Sequence, residues 1–146
     1  MASGRRAARR RLALVLVVPL LAAGCGGDGA DGGGGGEQSS PEAVVAAAYT
    51  HIAAGELERA CALVLPDVRG AFAAAGTGCQ TFLAGRYDRQ ERKAFRDVRV
   101  DPARVERDGD TALVPERAVT FGGRPSDDDD TPTVRQDGRW WVTTGT

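Results

Sequence analysis

A change of hydrophobic spacing near residue 95 limits this chain to one broad class of fold. Before that point apolar residues recur every three to four positions, and after it they alternate. Val45, Tyr49 and Ile52 stand at i, i+4 and i+7, one stripe of a helix. Ser40-Pro41-Glu42 gives that helix a capping serine, a first-turn proline and an acid, and Gly55 ends it. A second helix from Glu56 sets Leu57, Cys61 and Val64 on one face and stops before Pro66. A third, from about Asp67, presents Val68 and Phe72 and breaks at Gly76-Thr77-Gly78. A fourth begins at Cys79 and shows Phe82 and Leu83 before Gly85. Arg86 to Arg96 mixes charges densely and reads as a solvated connector or frayed helix, with a docking patch for an acidic partner as the alternative.

Strands are expected next. Phe95 to Val100 and Ala103 to Glu106 alternate, interrupted by Asp101-Pro102. Asp108-Gly109 is a hairpin turn signal, and Thr111 to Phe121 returns as a long strand broken at Pro115, which cannot donate to a ladder. Thr133 to Arg135 and Arg139 to Thr143 form a second hairpin about Asp137-Gly138. Along it Trp140 and Val142 share one face, with Trp140 expected beneath the helices, and Trp141 takes the other. Helices followed by antiparallel strands give an α+β fold, with N-terminal helices packed on a curved antiparallel sheet.

The start of the chain is of another kind. Five arginines (Arg5, Arg6, Arg9, Arg10 and Arg11) precede the uncharged run Leu12 to Leu21, which exits through Ala22, Ala23 and Gly24 to Cys25. A basic region, a short apolar region and a small-residue exit make a secretory signal. A spanning helix needs ~20 apolar residues, more than this run supplies, and Pro19 sits within it. Leu21-Ala22-Ala23-Gly24-Cys25 resembles the lipobox of bacterial lipoproteins, although Ala22 stands where leucine is more usual. The resemblance implies cleavage before Cys25 and a diacylglyceryl group on its sulfur, whose two acyl chains anchor stably in a bilayer. Arg9-Arg10-Arg11-Leu12 also loosely resembles a twin-arginine export signal, and the export route stays open. The expected organisation is a signal peptide at 1–24, the lipidated cysteine and a flexible Gly-rich tether at 25–40, and the α+β domain at 41–146. Localisation follows as the extracytoplasmic face of a cell membrane.

Charge is unevenly divided. Five of nineteen basic residues lie before residue 12 and all twenty acidic residues follow Cys25, which leaves the mature chain at −6. That balance argues against nucleic acid and against a domain lying flat on anionic lipid. Arginine outnumbers lysine eighteen to one beside abundant Ala, Gly, Val and Asp, all favoured by GC-rich codons, so a high-GC bacterium such as an actinomycete is the expected source. With Cys25 lipidated, Cys61 and Cys79 remain as an even pair in an oxidising compartment, and a disulfide between them is expected. The alternative, a nucleophilic cysteine served by His51, lacks an evident third group to orient the ring. Zinc fails on ligand number and spacing.

Two glycine-rich motifs carry no site. Gly24 to Gly29 fits G-x-G-x-x-G with neither a strand before nor a helix after, and Gly26 to Asp31 resembles half of a calcium repeat that occurs once. No cofactor is read from the chain. Asp127 to Asp130 are four adjacent carboxylates expected to stay solvated; calcium is the alternative, without the D-x-D-x-D-G loop it uses.

Ser40-Pro41-Glu42, Ala60-Cys61-Ala62-Leu63, Gly109 to Val114 and Asp137-Gly138-Arg139-Trp140-Trp141 together resemble the cone-shaped nuclear-transport-factor and ketosteroid-isomerase-like superfamily. More narrowly, the chain is similar to small actinobacterial lipoproteins of that type. The superfamily's isomerases use a carboxylate base with a tyrosine or acid donor. Tyr49 and Tyr87 are present, but no acid lies in an inward strand pattern, so no catalytic residue is carried over. The leading expectation is a non-enzymatic, lipid-anchored domain that binds a small apolar ligand or docks an envelope protein. An isomerase or dehydratase on the same cone and a pocketless structural lipoprotein are the alternatives. Converging acid and tyrosine groups would favour the enzyme, an open apolar cavity the binder, and a filled interior the spacer.

Overall fold

The computed structural model describes residues 36–144. The expected signal peptide, Cys25 and the tether up to residue 35 lie outside them. The described chain is α+β, with helices packed against antiparallel sheets.

Five helices come first: α1 (Pro41–Ala54), α2 (Leu57–Ala62), α3 (Pro66–Ala74), α4 (Cys79–Arg86) and α5 (Arg89–Ala94). The Ser40 hydroxyl accepts from the Ala43 N–H at 3.2 Å and caps α1. At its other end Gly55 takes φ 78°, the left-handed conformation that closes the last turn, and the Glu56 N–H reaches the His51 carbonyl. The charge-dense connector contains a real helix, α5. Asp88 accepts from Gln90 N and Glu91 N while Glu91 accepts from Asp88 N, so a reciprocal capping box holds a segment with no apolar stripe of its own.

The strands divide into two sheets rather than one. Val98–Val100 (β1), Val119–Phe121 (β4) and Arg124–Pro125 (β5) form an antiparallel sheet in the order β1-β4-β5. Glu106–Asp108 (β2), Thr111–Val114 (β3), Thr131–Gln136 (β6) and Arg139–Val142 (β7) form another in the order β2-β3-β6-β7. Pro115 is the cause. Buried and without an N–H, it ends β3, and a 3-10 helix at Glu116–Ala118 carries the chain into the other sheet. The single long strand expected over Thr111 to Phe121 is therefore two strands. Asp101 likewise caps a 3-10 helix at Pro102–Arg104, so the strand expected from Ala103 begins only at Glu106.

Both hairpins form, with different turns. Asp108 pairs with Thr111, so the first loop is Gly109-Asp110, one residue later than expected, with positive φ at Gly109 alone. Gln136 pairs with Arg139, and Asp137 and Gly138 both have positive φ, the pattern of a type I′ turn.

The two sheets share α1, which packs on β1 and also on β3, β6 and β7. Val44 and Val45 are fully buried, and Tyr49, Ile52, Phe95, Val114 and Trp140 join them in one core. Trp140 thus takes its expected inward place. The outer edge of β7 is covered rather than open. Trp140 N donates to Gln38 O and Gln38 Nε2 returns to Trp140 O, each at 3.0 Å. Further along, Val142 N donates to Leu63 O at 3.0 Å and Val142 O accepts from Leu65 N at 2.9 Å. Gln38 is 4 % exposed, so the fold takes in residues assigned to the tether.

Candidate functional site

α1 turns Val45 and Ile52 toward a cavity of about 320 Å³, and β7 adds Val142. The other wall is the α3–α4 hairpin, which supplies Val68, Phe72, Phe82 and Leu83. Every residue of α3 and α4 is at least partly exposed, and Leu83 packs against the core without being fully buried in it. Phe72 and Phe82 stack at 4.7 Å between centroids, and Phe82 remains 39 % exposed. What ties the hairpin down is side-chain chemistry. Cys61 on α2 and Cys79 at the start of α4 lie at disulfide distance, with sulfurs 2.03 Å apart and Cα atoms 6.0 Å apart.

The second tie is polar and sits at one end of the cavity. Asp128 Oδ2 accepts from Tyr49 Oη at 2.7 Å and from Tyr87 Oη at 2.8 Å. Its Oδ1 accepts from Arg86 Nη2 and from the Asp129 N–H, each at 3.0 Å. Arg86 Nη2 also reaches Asp129 at 2.7 Å, and Arg86 Nε donates to Tyr87 Oη at 3.1 Å. Behind this network Tyr49 and Tyr87 each meet Phe95 edge to face, at 5.1 and 4.9 Å.

These contacts set the protonation states. Burial pushes the Asp128 carboxyl up, but the two tyrosine hydroxyls, the Asp129 N–H and Arg86 outweigh it and hold the group below its ordinary value. Burial pushes Tyr87 up to about 12, with Asp128 adding to burial and Arg86 opposing it. Tyr49 is raised further by burial, by Tyr87 and by Asp128. The cluster is an ionised carboxylate surrounded by donors, a poor proton acceptor. Hydroxyls already donating to it are not free to polarise a substrate oxygen.

The aspartate row is therefore not uniformly solvated. The Asp128 side chain is 12 % exposed against 85 % for Asp129, and Asp130 accepts from the Glu116 N–H at 2.8 Å. Spacing in sequence could not reveal this, because Tyr49 and Asp128 lie 79 positions apart. Among the described residues no group of three or more His, Cys, Asp or Glu side chains is placed to hold a metal ion.

His51 sits elsewhere, outside the cavity lining, and is 5 % exposed. The orienting groups not evident in the sequence are two: Glu56 Oε2 at 2.8 Å from Nδ1 and Glu37 Oε1 at 3.1 Å from Nε2. Arg59 bonds the same Glu56 oxygen at 3.1 Å. The ring fastens the segment before α1 to the end of that helix. Cys61 and Cys79 are occupied with each other, so no cysteine–histidine pair is assembled among the described residues.

Comparison with family models, with curated proteins and with solved structures finds no match to this chain. Among the described residues no helix is long and apolar enough to cross a membrane.

Proposed function

We propose that this chain is a lipid-anchored, extracytoplasmic binding protein without enzymatic activity. Its α+β domain would take a small, largely apolar ligand between α1, β7 and the α3–α4 hairpin. The observation that carries this reading is the cavity: about 320 Å³, walled by aliphatic and aromatic side chains, with its charged groups gathered at one end. Ligand sites of ~300–1,000 Å³ commonly have this composition, in which an apolar lining gives affinity and a few polar groups give orientation. A spacer domain would have no need of the opening.

The enzyme alternative has some support in the meeting of Asp128 with two tyrosines. Against it stands the depressed Asp128 carboxyl, engaged by three side chains and one backbone N–H. The order of helices followed by antiparallel strands also supports membership of the nuclear-transport-factor and ketosteroid-isomerase-like superfamily.

Two experiments test the reading. Native mass spectrometry of the full chain, released from its membrane in mild detergent, should show an added mass that denaturation removes. A bare mass in repeated preparations would sink the binding function. For the anchor, the mature mass should correspond to a chain beginning at Cys25 with a diacylglyceryl group, and Cys25→Ser should leave the membrane fraction. A Cys25→Ser chain that stays with the membrane unaltered would rule lipidation out as the anchor.

A further inference from the structure

Resting on that binding reading, we infer that the cavity is selective for a cationic ligand: an amine carrying a small aliphatic or aromatic body. The charged side chains that line it are one cation, Arg86, and three anions, Asp128, Asp129 and Asp130, a net charge of −2 at one end of an apolar space. Arg86 is already paired with two of these carboxylates. Its Nη2 is shared between Asp128 and Asp129, and its Nε is given to Tyr87. A ligand with an anionic head would meet a net negative charge and be repelled.

An ammonium group finds the opposite environment. Asp129 is 85 % exposed, so a cation beside it keeps part of its hydration while pairing. The ring faces favour the same sign of charge. The Arg86 guanidinium carbon, 5.3 Å from the Tyr87 ring centroid, is an instance of that preference within the protein. The body of the ligand would pass between Phe72, Phe82 and Val142.

The test uses three probes of one shape and different charge: 3-phenylpropylamine, 3-phenylpropanol and 3-phenylpropanoate. Each is titrated calorimetrically into the full chain held in nanodiscs of uncharged lipid, with empty nanodiscs subtracted. The amine should bind about tenfold more tightly than the carboxylate, with a preference that shrinks as salt rises. Asp129→Asn with Asp130→Asn should bring the affinity of the amine close to that of the alcohol measured on the same variant. Both substitutions spare Asp128, and Asp130→Asn keeps a side-chain oxygen for the Glu116 N–H. Equal or tighter binding of the carboxylate would overturn the inference, as would an amine preference that survives the double variant. If the alcohol binds and the amine gains nothing over it, charge selection fails while the binding function stands. If none of the three binds, the binding function fails with it.

Discussion

Asp128 stands out among its three aspartate neighbours because of the chain around it. Tyr49 comes from α1, Tyr87 from the link between α4 and α5, and Arg86 from the last turn of α4, and their donors converge on one carboxylate. Tyr49→Phe removes one of these hydrogen bonds and should cost about 1 kcal/mol at pH 7, read from the urea midpoint. The pH dependence has a definite sign. Asp128 is depressed in the fold, so its contribution is complete above the ordinary aspartate value of about 3.9 and is lost as pH falls through the lower folded value. The deficit of Tyr49→Phe should therefore be smaller at pH 3 than at pH 7; an equal deficit would remove Asp128 from the account. At the alkaline end the sign reverses. The chain has two tyrosines, both in this cluster and both raised. Their contribution holds below pH ~10 and is lost as pH climbs through the folded values. Tyrosinate absorbance should stay flat through pH ~10 and rise only near 12 or with unfolding. An ordinary titration at pH ~10 would show the rings to be open to solvent.

Among the elements, the α3–α4 hairpin is the least secured. It buries no residue fully and is held by the Cys61–Cys79 contact at one end and by Arg86 with Asp128 and Asp129 at the other. Closing a loop of 18 residues contributes ~3 kcal/mol in the chain-entropy account. Cys61→Ala with Cys79→Ala should lose about that much, and amide exchange over Pro66–Arg86 should accelerate before exchange in α1 does. Uniform acceleration across the fold would show that the staple does not act on the hairpin in particular. Alkylation of the denatured, unreduced chain checks the bond itself: neither Cys61 nor Cys79 should take the label. α5 depends on a different device. Asp88→Ala breaks its capping box and should cost about 1 kcal/mol, since the helix has no buried face to compensate.

For the molecule as a whole, α1 packs on both sheets, which favours a single cooperative unfolding transition. Open sheet edges invite association, and this fold treats them unequally. β2 is short, exposed and charged, β5 contains Pro125, and β7 is covered by Gln38 and by Leu63 to Leu65. Deleting Glu37 and Gln38 should lower the melting temperature and make the chain associate as its concentration rises. A deletion that melts normally and stays monomeric would show the cover to be dispensable.

The sequence by itself determined the helix-to-strand order, the start and end of α1, the Asp137-Gly138 turn and the inward side of Trp140, and it singled out Cys61 and Cys79 as the two that meet. Apart from the cysteine pair, these depend on local geometry: apolar spacing, capping residues and turn residues act within a few positions of one another. Only the tertiary structure decided that Pro115 sends one predicted strand into two sheets, that Gln38 closes the edge of β7, and that His51 lies between Glu37 and Glu56. It alone separated Asp128 from the three aspartates beside it. Each of those outcomes depends on groups brought together by packing, and a carboxylate 79 positions from the hydroxyl it accepts leaves no periodic trace along the chain.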